Sequence, residues 1–164
     1  MAAILEFRLT GGGSNSDPDA SLGGAMSSNQ LSATAMNNLF DNVTPTEASD
    51  GDVEYRAIDI YNSGDEAAIS GEIYMDTETS SADSQLDFYN DGTTHDGSDQ
   101  GDTIADESTE PDGASWSHYT SASKLALPTS IAASEATRLW IRRTISAAAT
   151  NTANDQCTIA VEYA

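Results

Sequence analysis

Apolar residues return at every second position in several short runs of this chain, with polar residues between them. Residues 4–9 set Leu5, Phe7 and Leu9 on one side and Glu6 and Arg8 on the other, the period-2 mark of a half-buried strand. "VEYRAIDIY" is a longer β-prone run whose apolar side changes near Ala57, from Val53 and Tyr55 to Ile58 and Ile60. That change predicts a bulge or a strand buried on both faces. "ISGEIYM" points Ile69, Ile73 and Met75 inward, and "QLDFY" places Leu86 and Phe88 on one face. "TRLWIRRTIS" sets Leu139, Ile141 and Ile145 against Arg138, Trp140 and Arg142, and the closing run points Cys157, Ile159, Val161 and Tyr163 inward. "SWSHY" and "SKLAL" are weaker strand candidates. About eight short strands parted by Gly, Asn and Asp turns predict an all-β chain, an antiparallel β-sandwich of jelly-roll or Ig-like kind or a small barrel.

Three regions follow from this pattern. Residues 1–13 form an N-terminal strand or arm, and residues 14–30, rich in Gly, Ser and Asp, read as a flexible linker. Residues 31–164 form the sandwich. A strand tethered in this way joins its own sheet or crosses to a neighbouring subunit by strand addition. "LSATAMNNLF" spaces Leu31, Ala35 and Leu39 at helical intervals behind Ser27 and Ser28 as N-caps, so one short helix is expected there. "TPTEASDGD", with Pro45 and Gly51, reads as a turn. Residues 90–114 are acidic and hold few apolar side chains besides Ile104, and a loop of that length is functional or mobile.

Composition sharpens this picture. The 164 residues suit one domain, long enough to bury roughly 70% of its unfolded surface. A single cysteine, Cys157, forms no internal disulfide and reads as a small buried hydrophobe. The start of the chain lacks a basic segment before its few apolar residues, so no secretory signal is expected. No apolar run approaches membrane-spanning length. Six Lys and Arg stand against 27 Asp and Glu, a net charge of −21. This argues against nucleic acid and anionic lipid as partners. Such a molecule repels itself in dilute buffer, where the Debye length is about 10 Å, and much less in molar salt, where it is about 3 Å. Scarce lysine with abundant Asp and Thr resembles the composition of proteins from salt-accumulating halophiles or marine organisms, the alternative being an ordinary acidic protein whose partner is basic.

Candidate chemistry is thin. The 90–114 loop carries Asp91, Asp96, Asp99, Asp102, Asp106, Glu107, Glu110 and Asp112, oxygen ligands of the kind that hold Ca²⁺ or Mg²⁺ when the backbone converges them. The spacing does not match an EF-hand, so a solvated acidic surface is the stronger expectation and no cofactor is expected. His95 is expected to be exposed in that loop and His118 to lie on a strand face. No nucleophile elbow, zinc-protease, dithiol or phosphate-loop pattern is present.

The basic segment is the exception to the acidic rule. Three of the six cations, Arg138, Arg142 and Arg143, cluster around Trp140. On a strand, Arg138, Trp140 and Arg142 share one face, while Arg143 lies on the apolar face and needs a carboxylate or a sheet end. Either the arginines bridge acids on adjacent strands, or Arg138, Trp140 and Arg142 anchor a partner, Trp and Arg being enriched at binding hot spots. The N-terminal Leu5, Phe7, Arg8 and Leu9 are candidates for the same partner-binding role.

The order of segments carries a resemblance. Gly51, Asp52, Glu54, Tyr55, Arg56 and Asn62 form a "G-D-x-E-Y-R" run entering a strand that ends at Asn; Pro111, Gly113 and Trp116 form a Pro-x-Gly before an aromatic segment; Trp140, Ile141, Arg142, Arg143 and Thr144 form a W-[IV]-R-R-T run. In this order, over residues 31–163, the chain resembles small virion structural proteins of tailed viruses, of the capsid decoration or cement kind. The resemblance implies a β-sandwich that is part of a particle, with no catalytic residues to carry over; a decoration protein of this kind is expected to have the major capsid protein and copies of itself as partners, in a homo-oligomer such as a trimer. It leaves head and tail or baseplate open as locations. A secreted Ca²⁺- or carbohydrate-binding sandwich module is the alternative from another class.

Overall fold

A computed structural model describes residues 2–34, 37–98 and 101–164. Its main sheet is antiparallel, in the order β1 (Leu5–Leu9), β2 (Asp52–Asn62), β8 (Ala136–Ile145), β5 (Ser84–Tyr89). A second sheet orders β6 (Leu125–Ala126), β4 (Glu72–Glu78) and β9 (Cys157–Glu162), and a two-residue pair joins β3 (Ala68–Ile69) to β7 (Ser130–Ile131). The expected all-β, sandwich-like architecture is what the chain adopts.

One face of the main sheet makes the core. Leu9, Ile58, Ile60, Phe88, Leu139 and Ile141 meet Ile73 and Met75 from β4, and Cys157, Ile159 and Val161 of β9 pack against them. The change of apolar side near Ala57 reflects burial on both faces, because β2 and β8 keep unbroken register from Asp52↔Ile145 to Tyr61↔Ala136. The second face buries Tyr55, Ala57 and Trp140 under a layer of loops that brings Leu22, Ile104 and Trp116.

Those loops are the segments whose composition reads as loose. The N–H groups of Tyr55 and Ala57, beyond the reach of β1, donate to Glu107 O and Ser21 O. Ser21 Oγ donates to Ala57 O at 2.6 Å, and the amide of fully buried Thr10 donates to Ser21 Oγ at 2.9 Å. Gly23, at φ 95°, runs so close to the acidic loop that a Cβ there would lie 2.0 Å from Asp102 O. Residues 14–30 are therefore a hydrogen-bonded cover rather than a flexible linker. The outer edge of β1 is covered as well, since Leu9 and Leu31 donate to Asn29 O and Phe7 O.

Three local expectations are corrected. The described residues 31–34 and 37–40 are not helical; Ala35, at the centre of the expected helix, lies outside the described residues. The short helix, α1, spans Pro45–Asp50 instead. Thr44 and Glu47 form a reciprocal capping box there, Pro45 occupies the first turn, and Gly51 ends it at φ 80°. Ile69 is 42% exposed, because Ser70 at φ 51° separates β3 from β4 and turns Ile69 away from Ile73 and Met75. Tyr163 falls beyond β9 and is 39% exposed rather than inward.

Candidate functional site

The W-I-R-R segment lies in β8, between β2 and β5, and each arginine meets a carboxylate directly across the ladder. The register pairs Arg138 with Asp59, Arg143 with Glu54 and Arg142 with Asp87. Arg138 Nε and Nη2 donate to the two oxygens of Asp59 at 2.9 and 3.1 Å, and Nη2 also reaches Gly24 O at 2.6 Å. Arg142 Nη2 donates to Asp87 at 2.6 Å, and its guanidinium lies 5.1 Å from the Trp116 ring. Arg143 Nε donates to Glu54, and Nη1 to Asp41 O at 2.7 Å. Burial raises the Glu54 carboxyl above the ordinary carboxylate range, against the pull of Arg143.

The structure sets the anchor candidates of this segment mostly inside the chain. Trp140 is 4% exposed, packed on the second face of the sheet with Tyr55 and Tyr89 of the neighbouring strands and with Trp116 from the loops. Arg138 is buried by its partners, and Arg142 keeps only a partly exposed edge. The physical reason is the loop layer, which turns the polar face of β8 into a second interior where a guanidinium must be paired. Of the N-terminal candidates, Leu9 is buried in the core and Leu5 and Phe7 are partly buried against it, while Arg8 pairs with Glu6 at 2.9 Å and lies over Tyr61. Arg56, fully buried, meets Glu107 and Asp19, and Lys124 meets Glu162 and Glu72. All six cations thus have carboxylate partners within the chain.

His95 is not an exposed loop residue. Its Nδ1 accepts from the Gly97 amide at 3.1 Å, which leaves the proton on Nε2 to donate to Asp59 at 3.2 Å. It closes the buried Asp59–Arg138 pair from the loop side. His118 lies outside the strands and is exposed, its ring nitrogens meeting Leu86 O and Glu78.

The described carboxylates of the acidic loop do not converge. Asp91, Asp96 and Asp106 accept from Thr93, Ser98 and Thr109 in local turns, Glu107 holds Arg56, and Glu110 accepts from Trp116 Nε1 at 2.6 Å. Asp99 lies outside the described residues. Among the described residues no three His, Cys, Asp or Glu side chains gather as a metal would need.

Two surfaces stand out on the exterior. Of the four exposed large apolar residues among the described ones, Ile4, Val43, Ile69 and Tyr163, three lie at one end of the sandwich. There Tyr163 Oη donates to Ala3 O at 2.8 Å, Ile69 and Ala164 exchange backbone hydrogen bonds, and Ser63 N–H donates to Ile4 O. Only the exception to alternation at Ser70 and Tyr163's place after Glu162 could have signalled this end. The second surface is a cleft of about 910 Å³ over the core face, between the segment around Leu39–Thr44 and the start of β9. No protein-family model, curated protein or solved structure matches the chain.

Proposed function

We propose that the protein is a non-enzymatic virion component that decorates the capsid of a tailed virus, standing on the head lattice with its apolar end down and its acidic sides in brine. The observation that carries this reading is the contrast between the Ile4, Ile69 and Tyr163 end and the rest of the exterior. With every cation engaged inside the chain, the remaining surface is dominated by carboxylates, and concentrated salt screens those. Contact by apolar burial keeps its strength in such a medium, whereas contact by exposed ion pairs does not.

The motifs behind the resemblance support a scaffold rather than a reaction centre. Glu54 and Arg143, Tyr55 and Trp116, Trp116 and Arg142 touch one another, joining three distant stretches of chain. Asn62 accepts from the amides of Ile4 and Gly64 and donates to Glu66 O and Ile131 O, tying the apolar end to the sheet. The capsid partner is then the major capsid protein, with sister copies as neighbours. Particles assembled with the Ile4→Asp, Ile69→Asp double variant are expected to carry little of it while circular dichroism shows the sandwich intact. Wild-type occupancy refutes the docking end, and absence of the protein from purified particles refutes the virion reading.

A further inference from the structure

The second sheet covers the first incompletely. It has three strands against four, and β9 is its last, with no strand on its far side among the described residues. The direction of the free backbone groups follows from β4. Gly71 O accepts from Leu127, and Met75 N–H donates to Tyr119 O, so the odd positions of β4 turn toward the β6 side. Their partners in register, Val161 opposite Ile73 and Ile159 opposite Met75, therefore form non-hydrogen-bonded pairs and aim N–H and C=O away from β4. Natural sheets blunt such an edge with lysine, proline or a covering segment. The stretch Cys157–Glu162 has neither lysine nor proline.

The cleft adjoins this edge. Its floor is the core face of the main sheet, with Phe7, Leu86, Ile141 and Ile145, and its rim includes Asp41, Glu78, Asp83 and Asp155. Arg143, its cation, already holds Glu54 and Asp41. Glu78 and Asp155 flank Cys157 closely enough to act on its thiol.

We propose that β9 and this cleft receive an extended, lysine- or arginine-bearing apolar segment of another protein, which adds as a fourth strand to the second sheet. The open edge asks for a strand, the floor takes its alternate apolar side chains, and the rim draws its cations. The negative rim disfavours a second copy of this chain, which carries the same charge. The inference does not depend on the capsid reading.

Amide hydrogen exchange at Ile159 and Val161 tests it, in the lowest salt at which circular dichroism shows the protein folded. The probe is a terminally blocked peptide of alternating valine and lysine, about eight residues long, enough to run beside a typical strand. Saturating peptide is expected to slow exchange at both amides by about tenfold or more. The counterpart with glutamate for lysine, and one N-methylated at every residue so that neither edge can donate, are expected to leave them unchanged. No slowing with the lysine peptide, or equal slowing with all three, overturns the proposal. So does slowing that tracks the protein's own concentration without peptide, which would make a second copy the occupant.

Discussion

Asp59 and Arg138 face each other across β2 and β8, and the guanidinium spans both oxygens of a carboxylate that has no contact with solvent. His95 donates to the same carboxylate. A charge so enclosed is tolerated because Oδ1 accepts from Arg138 Nε and His95 Nε2 and Oδ2 from Arg138 Nη2. Removing one partner, as Asp59→Asn or Arg138→Met, is expected to cost about 3–5 kcal/mol in urea unfolding. The double variant Asp59→Leu, Arg138→Met should recover much of that loss. Equal losses in single and double variants would contradict the buried-pair account.

Trp140 separates an internal role from an external one. Its ring fills the space between the sheet and the loops, so Trp140→Ala is expected to cost about 3–5 kcal/mol, the usual penalty for emptying an aromatic site in a core. An exposed anchor would give a stable variant that merely binds less. Thermal unfolding followed by circular dichroism distinguishes them.

Much of this fold is legible in the sequence. Alternation marks β1, β5, β8 and β9 because each has a core-facing side, the change of apolar side near Ala57 marks β2 as buried on both faces, and parity places Arg143 among apolar neighbours where a carboxylate makes it tolerable. The capping box at Thr44 and Glu47 is also present in "TPTEASD", but Pro45 and Gly51 read as turn residues although they start and end a helix. What composition hides is the loop layer. Its Gly, Ser and Asp content suits a flexible connector, and only tertiary contact shows Thr10, Ser21 and Ser27 spending their polar atoms in the interior. Without that layer in view, Arg138 and Trp140 look like surface groups.

Cys157 carries a pH dependence. Burial, with Glu78 and Asp155 adding, pushes its thiol up to about 12 from an ordinary 9.0. The native state thus keeps a proton that the unfolded chain releases. Its contribution to stability is unchanged below the ordinary thiol range and falls as pH rises from there toward 12. Cys157→Ser should lack that part of the alkaline slope. Alkylation of the native thiol should still be accelerating above the ordinary thiol range, and a plateau near the unfolded value would contradict its burial.

Salt should act on the whole molecule. With 27 acids and six cations already paired, added NaCl removes repulsion without loosening many useful exposed ion pairs. The melting temperature is expected to climb steadily from dilute buffer into molar salt. A flat curve would remove the argument for a saline habitat.

Cryo-microscopy of purified particles tests the central claim most directly. The account predicts density for this sandwich on the outside of the head, with Ile4, Ile69 and Tyr163 pressed against the shell and the carboxylate-rich flanks toward solvent. Density in the tail, or on the head with those three side chains facing water, would contradict it.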